Sequence, residues 1–148
     1  MKELIDYAKS FIGVPYIYGG QNPAFGVDCS ELVQEILRSI GLDPKGDQTA
    51  QMLYDYFQLN GHVTDSPKPG ALLFYGQSAE KITHIAFAIS DNQLIEAGGG
   101  DSTTTSLEAA SHKAAFVRIR PVTHRKDLIA ILYPIYPDFV NQLEMPIG

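Results

Sequence analysis

The sequence predicts an α+β fold, in which N-terminal helices pack against an antiparallel β-sheet. In the first half of the chain, apolar residues recur at spacings of three and four, which is typical of helices with one buried face. In the second half, short apolar segments alternate with turn residues, which indicates a meander of strands. The chain has 148 residues, 45% of them hydrophobic, so we expect one packed domain covering residues 1–148.

Three helices are predicted in the first half. The first ends at Gly13, the second runs from near Cys29 to Gly41, and the third covers roughly residues 49–57. The residues expected to face inward are Leu4, Ile5, Ala8, Phe11 and Ile12 in the first, Leu32, Val33, Ile36, Leu37 and Ile40 in the second, and Met52, Leu53, Tyr56 and Phe57 in the third.

Five strands are predicted after the helices, at about residues 71–75, 83–89, 94–97, 115–120 and 128–133. Side chains alternate between the two faces of a strand, so His84 shares its face with Ala86 and Ala88. Because alanines leave room for a neighbour, we expect the start of a helix to pack on that face. The later run Gly98–Gly100 is interpreted as a flexible loop, and residues 103–105 as surface.

Composition excludes several functions. The net charge is −6 and no basic stripe is visible, so we expect neither nucleic acid nor an anionic membrane surface as a partner. No segment approaches the roughly 20 apolar residues of a membrane span. The N-terminal segment is typical of an amphipathic helix and not of a signal peptide. We therefore expect a cytoplasmic protein, or one that leaves the cell by another route.

The single cysteine is the strongest candidate for chemistry. Cys29 falls in the first turn of the second helix, with Asp28 suited to the N-cap and Glu31 completing a pattern like a capping box. A thiol at a helix N-terminus is favoured as thiolate by the helix dipole. The backbone N–H groups there can also hold an oxyanion. The alternative is a buried structural cysteine.

A nucleophilic cysteine needs a base, and His84 is the candidate. His62, His112 and His124 lie in polar, loop-like segments, whereas His84 lies within a strand. The alternative for His84 is a hydrogen-bonded core histidine. One cysteine and scattered histidines give no metal-ligand spacing, so no metal and no other cofactor is expected.

Four motifs, in the order in which they follow along the chain, resemble those of the NlpC-type cell-wall peptidases, a papain-like family of cysteine enzymes. GVPYIYGG resembles the family's Pro-Tyr-x-Trp/Tyr-Gly-Gly, and VDCSELVQ its Asp-Cys-Ser-Gly-Leu-Val nucleophile motif. PGALLFY resembles its Pro-Gly-Asp-Leu-x-Phe-Phe strand, and THIAFAISDNQLIEA its histidine hairpin. The resemblance covers about residues 7–120.

The resemblance implies a single catalytic domain of papain-like fold that hydrolyses peptidoglycan stem peptides, usually between D-γ-glutamate and a diamino acid. It implies Cys29 as nucleophile, His84 as base and Glu96 as the third polar residue, a place usually taken by His, Asn or Gln. Tyr16 matches a tyrosine near the oxyanion, and Asp28 and Ser30 match residues that contact substrate in some members. A phage-type lysin or a cytosolic recycling enzyme would suit such a chain.

Two other functions stay open. One is acyl transfer or amide hydrolysis on another substrate with the same fold. The other is a non-catalytic module that binds wall peptide, against which the intact Cys29 and His84 argue. Nothing in the sequence specifies an oligomeric state.

Departures from the family pattern bear on the substrate and on the third residue. Glu31 stands where the family has Gly, Ala71 where it has Asp, and no Arg precedes DQTAQ. Glu96 is an unusual third residue, and the turn before it decides its face. A two-residue turn would place Glu96 on the wrong face of the hairpin, whereas a three-residue turn of residues 90–92 places it opposite Ala86. We therefore predict the three-residue turn, with the Glu96 carboxylate contacting the ring of His84; the alternative is a Glu96 side chain in solvent.

Overall fold

A computed structural model describes residues 1–142; the last six residues of the predicted domain lie outside the described part. The helices are α1 (Lys2–Lys9), α2 (Cys29–Arg38), α3 (Ala50–Leu59), α4 (Leu107–His112) and α5 (Asp138–Gln142). The strands are β1 (Gln21–Asn22), β2 (Gly26–Val27), β3 (Gly61–Val63), β4 (Leu72–Ser78), β5 (Lys81–Ala88), β6 (Gln93–Gly98), β7 (Phe116–Pro121) and β8 (Leu128–Pro134).

Six of these strands form one antiparallel sheet in the order β3-β8-β4-β5-β6-β7. Strands β1 and β2 form a separate small hairpin just before α2. Helix α2 packs across β5 and β6, and α3 packs on β5 and β8, so the main helices cover one face of the sheet. The predicted α+β class, with helices on an antiparallel sheet, is confirmed.

The main core lies between the helices and this face. Strand residues such as Phe74, Ile85 and Phe87 are fully buried there against helix residues such as Leu32 and Ile36. The other face carries a smaller buried cluster, made of Ala71, Leu73, Tyr75, Ala86, Ala88, Leu94 and Ile131. Ala86 and Ala88 belong to this second cluster, so the helix start expected on the face of His84 does not cover these two alanines, although its first residue, Cys29, lies near His84.

Two helices differ from the prediction: α1 in the residue at which it ends, and α3 in the residues that it buries. Helix α1 ends at Lys9, because the N–H groups of Phe11 and Ile12 bond to carbonyls three residues back and Gly13 takes a positive φ of 93°. In α3 the buried face is formed by Ala50, Leu53, Tyr54 and Phe57. Met52 and Tyr56, expected to face inward, are exposed.

Two segments interpreted as loops are structured. His62 lies in β3 and His112 ends α4, although both side chains are exposed. Of residues 103–105, expected at the surface, Thr104 is fully buried. Among the described residues, no helix has the length and apolar character needed to cross a membrane.

Helix α3 offers a matched test of the core. Leu53 is fully buried and Leu59, at the end of the same helix, is 86% exposed. Leu53→Ala should lower the free energy of unfolding by about 2–5 kcal/mol, because it removes buried methyl groups and leaves a cavity. Leu59→Ala should change it by less than about 0.5 kcal/mol. Urea unfolding measures both, and equal losses in the two variants would contradict this packing.

Candidate active site

Asp28 fixes the start of the helix that carries the cysteine. Its Oδ1 accepts hydrogen bonds from the backbone N–H of Glu31, at 2.9 Å, and from the hydroxyl of Ser30, at 3.0 Å. Its Oδ2 accepts the backbone N–H of Gly19, at 3.0 Å. Asp28 therefore caps α2, as predicted, and also ties the helix to the preceding loop. Cys29, the first residue of α2, is half-buried, and Ser30 is buried.

The hairpin of β5 and β6 places the base and its neighbour. Phe87 pairs with Ile95 and Ala88 with Leu94, and Ile89 donates its N–H to the carbonyl of Gln93. This register leaves residues 90–92 as the turn, so the predicted three-residue turn is confirmed. Because alternate residues share a face, Glu96 lies on the same side of the hairpin as His84.

The two side chains meet as the register requires. Nε2 of His84 is 2.8 Å from Oε1 of Glu96, and both residues are buried. The predicted contact between them is therefore confirmed, and the alternative of a Glu96 side chain in solvent is wrong. Since Nε2 is occupied, Nδ1 is the ring nitrogen left to face the thiol.

Cys29 lies near the His84 ring: both side chains line the same cleft, and the thiol is close enough to shift the pKa of the ring. Burial by itself would lower the pKa of His84, but hydrogen bonds to Cys29 and Glu96, and their charges, outweigh it and raise the pKa to about 9. For Glu96, burial opposes ionisation, yet the bond to His84 and the charges of His84 and Arg120 hold its pKa below the ordinary value. Both shifts favour an imidazolium held by a carboxylate.

Cys29, His84 and Glu96 line a cleft of about 460 Å³. Its lining includes Cys29, His84 and Glu96 together with Tyr16 and Tyr18, residues 97–102, and the cationic or titratable side chains Arg120, His124 and Arg125. Tyr16 is 7% exposed, and burial followed by the nearby Cys29 raises the pKa of its phenol, so the hydroxyl stays protonated and can donate. Asp28 and Ser30 lie behind the cysteine, outside this lining.

Residues 98–100 form a wall of the cleft, which corrects their interpretation as a flexible loop. A Cβ on Gly98 would lie 2.6 Å from Oε2 of Glu96, and one on Gly100 would lie 2.3 Å from the ring of Tyr16. Gly99 between them has a φ of 85°. Sequence reasoning missed this role, although a glycine run at the end of a strand is a signal of close backbone approach.

The segment after these glycines is fixed by one lysine. Nζ of Lys113, just after α4, donates to Asp101 at 2.8 Å, to Thr103 at 2.6 Å and to Thr104 at 3.1 Å. Tyr18 donates its backbone N–H to the carbonyl of Thr104, at 2.7 Å. These bonds hold the glycine wall against the tyrosines, and nothing in the sequence motifs indicated them.

Glu31 lies on the other side of α2. Its backbone N–H bonds to the Asp28 cap, but its carboxylate is buried 3.6 Å from Arg38, away from the cleft that Cys29 lines. Burial and a shared hydrogen bond with Glu35 raise its pKa to about 8. The capping role preferred from sequence therefore applies to its backbone, while its side chain lines a separate pocket beside Asp43 and Asp47.

The arrangement suits nucleophilic catalysis by a thiol. A cysteine at a helix start, a base in contact with it and a group that orients the base are the three parts such chemistry needs. Within residues 1–142, no three His, Cys, Asp or Glu side chains are grouped so as to hold a metal ion.

Glu96→Gln should lower the pKa of His84 by about one unit or more, because the imidazolium loses the carboxylate charge but keeps a hydrogen-bond acceptor. An NMR titration of the imidazole C–H signals measures the change. The signals of exposed His62 and His112 serve as internal controls and should not move. An unchanged His84 titration would show that Glu96 does not stabilise the imidazolium.

Comparison with solved structures supports this fold. Over 92% of this chain and 40% of the other, the structure resembles a crystal structure of an NlpC/P60 family protein from Bacillus cereus, with a TM-score of 0.67 and 23% identity.

Two curated relatives resemble the sequence more strongly. A probable endopeptidase, YafL, of Escherichia coli is 35% identical over 86 residues, 57% of this chain and 34% of the relative. A γ-D-glutamyl-L-lysine dipeptidyl-peptidase of Bacillus cereus is 32% identical over 97 residues, 63% of this chain and 27% of the relative. The matched segments thus span about a third or less of these relatives.

The model of the NlpC/P60 family matches residues 13–121, which include Cys29, His84 and Glu96. This match covers well over half of the chain and contains all four motifs identified in the sequence. The chain therefore belongs to the NlpC/P60 family.

Proposed function

We propose that this chain is a cysteine peptidase that hydrolyses amide bonds in the peptide stems of peptidoglycan. One observation carries the proposal: Cys29 at the start of α2 lines the same cleft as His84, and the ring of His84 bonds through Nε2 to Glu96 at 2.8 Å. These three side chains line one cleft together with Tyr16. Membership of the NlpC/P60 family supports a wall peptide as the substrate.

The proposed reaction begins when His84 takes the proton of Cys29. The thiolate attacks the amide carbonyl, and the resulting oxyanion is stabilised by N–H groups at the start of α2 and by the hydroxyl of Tyr16. His84 then gives the proton to the leaving amine, and a thioester forms on Cys29. Water, deprotonated by His84, hydrolyses the thioester and restores the thiol.

Glu96 has a separate role in this scheme. Its carboxylate accepts the N–H at Nε2 of His84, which directs Nδ1 toward the sulfur and stabilises the imidazolium formed in the first step. Asp28 acts at a distance from the reacting atoms, by fixing the helix start that carries Cys29. The proposed role of Asp28 and Ser30 is therefore to position the nucleophile. They would contact only a part of the substrate that extends beyond Cys29.

We further propose that the bond cleaved joins D-γ-glutamate to a diamino acid, either meso-diaminopimelate or lysine. The Bacillus cereus relative is a γ-D-glutamyl-L-lysine dipeptidyl-peptidase by name, which supports this bond. We also propose that residues 1–148 act as one catalytic domain; in support, the cleft draws its residues from α2, β5, β6 and the β7–β8 segment.

Incubation of purified peptidoglycan with the wild type and with Cys29→Ser, followed by mass spectrometry of the soluble fragments, tests the proposal. The wild type should release fragments ending in D-γ-glutamate, and Cys29→Ser should release them more than about 1,000-fold more slowly, because a hydroxyl at this position is a far weaker nucleophile. Circular dichroism checks that the variant is folded.

Other outcomes would reject parts of the proposal. Fragments cut at the amide bond between the lactyl group of the sugar and the first residue of the stem peptide would indicate an amidase instead. Full activity in Cys29→Ser would exclude the thiol mechanism. A folded wild type that binds peptidoglycan without releasing fragments would indicate the non-catalytic module.

A further inference from the structure

The carboxylate of Glu96 is buried and, when ionised, places a negative charge inside the protein. Its side chain is 5% exposed, with Oε1 bonded to His84 and Oε2 facing Arg120. In the thiolate–imidazolium state of Cys29 and His84, the charges of that pair cancel, and an ionised Glu96 leaves one negative charge in excess. A buried charge without compensation is costly, so a nearby cation is required.

Arg120 is placed to supply that cation. It lies on β7, next to β6, and its Nε is 3.6 Å from Oε2 of Glu96. That Nε is buried and makes no hydrogen bond to any residue in the described part of the chain. An unpartnered donor held beside a buried carboxylate oxygen has the charge and the position needed to compensate Glu96.

Arg118 is the natural comparison, because it is directly opposite Glu96 in the ladder. Its Nε is likewise buried without a hydrogen-bond partner among the described residues, but its guanidinium turns away, stacks on the ring of Phe116 at 3.8 Å and donates to the carbonyl of Ala114. Two arginines on the same strand and the same face thus make different contacts, and of these two only Arg120 lies within ion-pair distance of Glu96.

We propose that Arg120 is a positioning residue, which holds Glu96 ionised and turned toward His84 and so sets the lower end of the pH range in which Cys29 reacts. The proposal deepens the proposed function, since it rests on the roles given there to Cys29, His84 and Glu96.

The other charged or titratable groups around the pair do not replace Arg120. They are Cys29 on α2, Tyr16 before β1, Tyr75 on β4, Arg118 on β7, and His124, Arg125 and Asp127 after β7. Both tyrosines stay neutral at neutral pH, because burial raises their pKa values. Arg125 is paired with Asp127 through two hydrogen bonds, at 2.9 and 2.7 Å, and His124 is exposed.

The direction of the effect follows from charge. Removing a cation beside Glu96 makes protonation of its carboxylate easier, so Glu96 becomes neutral at a higher pH. A neutral Glu96 no longer stabilises the imidazolium of His84. The loss of Cys29 reactivity on acidification should therefore begin at a higher pH when Arg120 is absent.

The test is the rate at which iodoacetamide alkylates Cys29 as a function of pH, in the full chain. Cys29 is the single cysteine, so the mass gained reports on it alone. In R120M the acid-side midpoint should rise by about one pH unit relative to wild type. R120K keeps the charge, so its midpoint should lie close to that of the wild type. R118M should move the midpoint by less than half as much as R120M does.

A double-variant cycle shows whether Arg120 acts through Glu96. Adding R120M to E96Q should move the midpoint little, because the carboxylate through which Arg120 acts is gone. A shift of the same size in both backgrounds would overturn the proposal, as would an R120M midpoint equal to that of the wild type. Circular dichroism confirms folding, and R120Q replaces R120M if the latter is unfolded.

Alkylation needs no wall substrate. If the chain acts on some other substrate, the proposed function fails while the predicted shift in R120M remains. If the wild type cleaves peptidoglycan as proposed and R120M alkylates like the wild type, only the role of Arg120 fails.

Discussion

The hydrogen bond between Nε2 of His84 and Oε1 of Glu96 is the interaction on which the candidate site depends. It fixes which ring nitrogen faces the thiol, and it supplies the negative charge that supports an imidazolium. The bond exists because a three-residue turn at residues 90–92 brings Glu96 to the same face as His84. A turn shorter by one residue would place this carboxylate on the opposite face of the sheet.

The rest of the structure holds a thiol against this pair. Asp28 caps α2 and links it to Gly19, so the first residue of the helix has a fixed position relative to the loop in front of it. Gly98 leaves space for the carboxylate, and Gly100 allows the backbone to approach Tyr16. A side chain at either glycine would occupy the space that Glu96 or Tyr16 takes.

Much of this could be predicted because it rests on local rules. The start of α2 at Cys29 followed from an N-cap residue before an amphipathic run, and the face of Glu96 followed from strand alternation and turn length. Capping and alternation depend on near neighbours in the chain, which a sequence displays directly.

Other features depend on contacts between distant segments. The covering of Ala86 and Ala88 by a second cluster, the three hydrogen bonds of Lys113 and the selection of Arg120 over Arg118 all depend on tertiary packing. The sequence showed the glycine run at residues 98–100, but the reason for it became visible only when Glu96 and Tyr16 were seen against it. For α3, the predicted burial of Leu53 and Phe57 is confirmed, whereas that of Met52 and Tyr56 is wrong, because several registers of its apolar residues fit a helical period.

The central claim is that His84, held by Glu96, activates Cys29. The most direct measurement is the rate of iodoacetamide alkylation at neutral pH in the folded wild type and in folded His84→Ala, with each protein also measured after denaturation in urea. We expect the folded wild type to react at least about tenfold faster than folded His84→Ala, and the two denatured chains to react equally. Equal rates in the two folded proteins would contradict the account.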